Sequence, residues 1–170
     1  MKTETFGGAG VGTRGAAKVL RIVSLFLLGI VTGRLVDVWF VVTFAQNDLQ
    51  AEDWVREHNM LDLSHGLNMP VLGGLTILTI FSLFWVERDW RSRRALLTWV
   101  ALGFGVATMV IVLVWSFPLS MQIKTWAGSP IPVNWSDVRH LFLVTHTLKT
   151  ICSLLSFAIL LLASFTPRNI

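Results

Sequence analysis

Tyrosine is absent from the 170 residues, cysteine occurs once, and charged side chains make up only 14% of the chain. Each shortage excludes something. A lone Cys152 leaves no second thiol for an internal disulfide and no cysteine cluster for a metal. So few charges cannot coat a soluble domain of this size. With 54% hydrophobic residues and a mean hydropathy of +0.65, the chain belongs in a membrane. Also missing are a carboxylate pair, a Gly-rich phosphate loop and a Ser/His/Asp arrangement. Phosphate and nucleotide chemistry are therefore set aside, and no nucleic-acid partner is expected.

What is present fits a bilayer. Eight Trp suit the membrane interface, where an amphipathic ring straddles apolar and wet surroundings. Four apolar runs are long enough to cross, each near the ~20 residues required. They span about 19–45, 70–86, 95–117 and 137–165, the third ended by Pro118 and the fourth by Pro167. Backbone groups in lipid must bond internally, so each run is expected to be helical. The expected fold is thus all-α, a four-transmembrane-helix bundle over 18–166 behind a flexible Gly-rich tail at 1–17. The first run is too long for the h-region of a signal peptide and is taken as a retained helix.

Loop charges give an orientation. Lys2, Arg14, Lys18 and Arg21 precede or open the first run, Arg88, Arg91, Arg93 and Arg94 join the second to the third, and Arg168 follows the fourth. The opposite loops carry few basic residues, and 47–66 is acidic. The positive-inside rule then puts both termini in the cytoplasm, in what is expected to be a bacterial plasma membrane. The stretch LQAEDWVREHNMLDL spaces Leu49, Trp54, Val55, Met60, Leu61 and Leu63 as a short interfacial helix would, so the loop between helices 1 and 2 is expected to be structured. Asn134 or Ser136 is placed to cap the fourth helix.

Ionisable residues within a span are functional-site hypotheses by default, because burying them unpaired is costly. Arg34 and Asp37 lie three apart in the first span and can meet as an ion pair or face a polar cavity. Nearby Gly29 and Gly33 form a small-xxx-small pair that suits close helix approach. In the fourth span Arg139, Phe142, His146 and Lys149 follow a/d spacing, which sets three polar side chains along one inward side. For His146 the plainer role is a neutral ring bonded across helices to a carbonyl or hydroxyl. Asp37, His65, Asn68, Trp115, Ser116, Arg139 and His146 all fall toward the outer half, where a ligand pocket is expected. Histidine acting as general base beside Arg139 and Lys149 would favour proton removal from an aromatic ketone or hydroquinone. His65 and His146, with His58 or His140, are the candidate metal or haem ligands, though their spacing matches no metal motif.

The fourth span, WSDVRHLFLVTHTLKT, resembles the closing signature of the anthrone oxygenase-like family of small four-helix membrane proteins. Trp135, Arg139, Phe142, His146 and Lys149 take the places of that signature's Trp, Arg, aromatic, His and Arg. WSFPLSMQIKTW resembles the family's Pro-centred end of span three, and HGLNMPVLGG its Asn/Pro entry to span two. Ser120 stands where the family has Asn, Phe142 where it has Trp, and Lys149 where it has Arg. Lysine keeps the charge without the guanidinium fork.

The resemblance implies oxidation of an anthrone-type polycyclic phenol by molecular oxygen, with no firmly assigned cofactor. The expected site then comprises His146, Arg139 and Lys149 as catalytic groups, with Arg34, Asp37, His65, Asn68, Trp115, Ser120, Trp135 and Phe142 holding a lipophilic aromatic substrate. The alternatives are an accessory subunit or lipophilic-ligand-binding protein, and a haem, copper or iron protein. Paired glycines (Gly73 and Gly74, Gly103 and Gly105) allow close packing within the chain or in a homo-oligomer.

Overall fold

A computed structural model describes residues 9–46, 48–65, 68–87 and 90–167. All of its elements are helical: α1 (Ala9–Phe40), α2 (Ala51–His65), α3 (Asn68–Glu87), α4 (Arg93–Ile111), α5 (Phe117–Lys124) and α6 (Trp135–Phe165). Two wider π turns, Val41–Ala45 and Val112–Ser116, extend α1 and join α4 to α5. Four stretches are long and apolar enough to cross a membrane: Gly15–Ala45, Asn68–Val86, Arg93–Lys124 and Trp135–Phe165. The four-helix membrane bundle expected from the sequence is therefore the fold.

Each crossing helix packs chiefly on two others, in the ring order α1, α3, α4, α6. Short connections and an even number of crossings make this an up-down-up-down bundle, with the chain returning to the side it started from. That side is termed proximal here, and the side bearing α2 and α5 distal.

Several boundaries differ from the sequence expectation, each for a local reason. Helix α1 begins at Ala9, so residues 9–17 of the expected tail are helical, and residues 1–8 lie outside the described residues. Arg21, expected as a flanking charge, is buried in the bundle, where Nη2 donates to Thr98 Oγ1 of α4 at 3.5 Å. The third crossing does not stop at Pro118. Proline has no N–H for the carbonyl four residues back, but the π turn just before it absorbs the break, and Pro118 sits in the first turn of α5. Asn134 occupies the N-cap of α6 without a side-chain bond, whereas Ser92 caps α4 by accepting from the Ala95 N–H at 3.1 Å. The turn after α5 depends on Gly128, whose φ of +76° suits glycine.

Two apolar clusters divide the bundle. The proximal one packs Leu28, Ile80, Leu83, Phe84, Ala101, Leu102 and Leu160 from all four crossings. The distal one joins Val42, Leu119, Ile123, Trp126, Val138 and Phe142 to Trp54 and Val55 of α2. Helix α2 is thus a packed cap. Its buried face is Trp54, Val55 and His58, while Met60, expected among its apolar contacts, is exposed. Of the small-residue pair in α1, Gly29 lies against Phe157 of α6, but Gly33 is exposed with no neighbour close to it.

Candidate functional site

Between the α2 cap and the crossing helices lies a partly open cavity of about 130 Å³. Its walls are mostly apolar, with Leu35, Val38 and Val42 from α1 and its π turn, Met69 and Pro70 from α3, Val112 and Phe117 from the α4–α5 junction, and Phe142 from α6. Into this surface project Arg34, His58, Asp62, Ser116, Ser120, His146 and Lys149. Both π turns border the cavity. A π turn carries one extra residue against the neighbouring helices, which opens space beside it, and such turns recur at functional sites.

His146 is 3% exposed and its Nε2 lies 3.2 Å from the Leu35 carbonyl of α1. A carbonyl only accepts, so Nε2 is the donor, and in the neutral ring Nδ1 carries the lone pair. That Nδ1 is buried with no protein partner. Lys149, one turn further along α6, is also buried, and its Nζ donates to Ser116 Oγ at 3.1 Å. The ammonium lies 5.7 Å from the Phe142 ring. Thr150 supports the same carbonyl, donating to Leu35 O at 3.4 Å and to His146 O at 2.8 Å. Helix α1 is therefore held against α6 at the depth of the cavity.

The roof is built by α2. His58 is 3% exposed, lies edge-on to Phe142 at 4.6 Å and leaves Nε2 without a protein partner. Burial pushes its pKa down to about 4 from the usual 6.5. Asp62 opposes that shift, and Lys149 and Lys124 add to it. Asp62 forms an ion pair with Lys124 of α5, closing α2 onto the α4–α5 arm. The spacing of Trp54, Val55, His58 and Leu61 puts His58 on the packed face of α2, a signal present in the sequence.

The expected site residues divide. His146, Lys149, Phe142, Ser120 and Arg34 line the cavity together. Arg139 does not: Nη1 donates to the Leu49 carbonyl at 3.2 Å, and the guanidinium stacks over Trp135 at 4.8 Å. Arg139 and Trp135 therefore tie the connection before α2 to the start of α6. Asp37 pairs with Arg34 at 3.0 Å but is largely exposed and off the cavity wall. Trp115 and Asn68 are exposed and also absent from it. The side chain of His65 lies outside the described residues. Among the described residues no group of three His, Cys, Asp or Glu gathers as a metal site, and His58 and His146 flank the Phe142 ring from different helices. Leu35 and Asp62 were not singled out as binding residues, and His58 only as a candidate metal or haem ligand, since only the fold brings their helices to His146. No protein-family model matches the chain, and neither a curated protein nor a solved structure is significantly similar to it.

Proposed function

We propose that the chain is a membrane oxidoreductase using dioxygen as oxidant, one that binds the hydroxylated ring of a lipophilic aromatic compound in the distal cavity. One observation carries this reading. His146 donates from Nε2 to Leu35 and so leaves Nδ1 as a buried acceptor, in a residue that lines the same cavity as Lys149. A phenolic hydroxyl complements that pair, donating to Nδ1 while its oxygen accepts from Nζ. As the proton moves to Nδ1, the phenolate charge forms beside the ammonium in a site of low polarity, where such stabilisation is strongest. With dioxygen as acceptor, a hydroquinone then gives up two electrons and two protons, yielding quinone and hydrogen peroxide.

Size favours one ring over three. A dry cavity of about 150 Å³ takes a benzene molecule, so about 130 Å³ suits a quinol ring better than the fused rings of an anthrone. The same reading sets both termini in the cytoplasm and the cavity in the outer half of a bacterial plasma membrane. It is supported by the basic residues gathered on the proximal side.

A second reading, a ligand-binding or accessory protein without turnover, is favoured by the interhelical bonds of His146 and Lys149, which hold the bundle whether or not chemistry occurs. Oxygen consumption and peroxide release by the purified protein with methylhydroquinone separate the two. His146→Ala and Lys149→Gln should each abolish most of the oxygen uptake while the helical spectrum is unchanged. Unchanged uptake in both folded variants defeats the catalytic reading, and ring binding without uptake in the parent protein supports the second.

A further inference from the structure

A second cavity of about 50 Å³ lies deeper in the bundle and shares Leu35, Met69, Pro70 and Val112 with the first. On α6 the upper cavity is marked by His146 and the lower by Ser153. On α1 the lower cavity reaches Val31 and Leu28, and on α4 it reaches Thr108 and Gly105. Seven residues of helix are about 10 Å, so the two spaces stack along the membrane normal about two turns apart.

Their chemistry differs in one respect. The lower cavity's hydroxyls are already bonded within the protein: Thr76 to Leu72 O at 2.7 Å, Thr108 to Phe104 O at 3.0 Å and Ser153 to Thr32 Oγ1 at 2.7 Å. What remains facing the space is hydrocarbon. The upper cavity is instead lined by His58 and His146, each with a buried ring nitrogen that has no protein partner.

We propose that the lower cavity takes the hydrocarbon tail of the substrate, so that the ligand is a hydroxylated single ring bearing an alkyl or isoprenoid chain. This rests on the ring-binding reading of the upper cavity. On the measure used for the upper cavity, about 25 Å³ per benzene carbon, the lower space holds roughly two chain carbons as it stands. It lengthens by movement of Met109, whose terminal carbon lies 2.7 Å from where a Cβ on Gly73 would be. Methionine is the side chain best suited to such a plug, being unbranched and able to rearrange at low cost. The shared wall also includes a second methionine, Met69.

The test uses the full chain in lipid nanodiscs with two probes, methylhydroquinone and methylhydroquinone carrying an n-decyl chain. Gly105→Leu fills the lower cavity, where a Cβ meets its nearest neighbour at an ordinary 3.5 Å. It should leave the Kd of the tailless probe within about twofold and weaken the decyl probe by tenfold or more. Met109→Ala should do the reverse, tightening the decyl probe alone, and it keeps the proposal testable if Gly105→Leu does not fold. Comparing each variant with the parent for the same probe cancels the decyl chain's own preference for lipid. If both probes respond equally in the folded variants, the tail lies elsewhere, for example out past Arg34 into the bilayer, and the proposal is overturned while ring binding stands. If the parent protein binds neither probe, the ring-binding reading falls and this inference falls with it.

Discussion

The proximal and distal halves of the bundle are built from the same four crossings but solve different problems. In the proximal half, buried hydroxyls are used up close to home. Ser24 donates to Leu20 O at 2.9 Å, Thr98 to Arg94 O at 2.9 Å, and Ser156 reaches across to Ala101 O at 2.7 Å. Regular helices bring Leu160, Ile80 and Ala101 together with no exposed surface. In the distal half two helices widen into π turns, a separate helix closes the top, and two histidines keep a ring nitrogen without a protein partner. An unpartnered buried polar atom costs on the order of 1–3 kcal/mol. The distal half bears that cost at the residues that line the cavity, where a ligand is proposed to bind.

That contrast can be broken most severely at His146. Replacing it with Ala removes the acceptor and should lower hydroquinone oxidation by about 10³-fold, within the range for loss of a general base, equivalent to about 4 kcal/mol in the barrier. The lost bond to Leu35 should cost only about 0.6–1 kcal/mol in unfolding free energy, as interhelical bonds in membranes do. A large stability loss with little kinetic loss would assign His146 to the scaffold.

The next effect is on stability against pH. The pKa of His58 lies below its unfolded value, so the unfolded chain binds the extra proton between pH 6.5 and about 4. Stability is then full above pH 6.5, falls as the pH is lowered through that window, and levels off below about 4. The total loss is about 3 kcal/mol. His58→Phe should flatten the curve. If the acid sensitivity survives this change, it comes from another group.

A smaller change is expected from truncation in the proximal half. Leu160→Ala should destabilise by about 2 kcal/mol, near the low end for a fully buried leucine, and leave the Kd for methylhydroquinone unaltered. A shift in ligand affinity would show that the two halves are coupled more tightly than their separate clusters suggest. Smallest of all is Arg139→Gln. Loss of the bond to Leu49 and the contact with Trp135 should cost about 1 kcal/mol and change turnover less than a few-fold. A loss as large as that of His146→Ala would return Arg139 to the site.

Arg139 also shows where the sequence stops being legible. The four crossings, the cap helix and the burial of His146 and Lys149 follow from run length, periodicity and the cost of charge in lipid. Residues 139, 146 and 149 do share one side of α6, but a shared side is not a shared site. Arg139 stands two turns, about 10 Å, above His146, and between them Phe142 packs against His58. That separation depends on α2 folding over the bundle, a long-range contact that no spacing within α6 encodes. Pro118 misled for the opposite reason. Taken locally it ends a helix, and only the adjoining π turn lets the helix continue. Trp54 and Trp126 likewise turned out to be packed in the distal core, where their type alone suggested the membrane interface.

The two π turns carry a consequence for how such a protein arises. A π turn is an α-helix with one residue inserted, and at Val112–Ser116 the helices on either side, α4 and α5, keep their hydrogen bonding. Removing one residue from within Val112–Ser116 should restore a regular helix from α4 through α5 and narrow the cavity beside it. A change of a single codon, with almost no change in composition or hydropathy, is then expected to separate a solid bundle from a hollow one. Chains of this architecture can therefore gain or lose a cavity by length alone, while looking the same to any measure of amino-acid content.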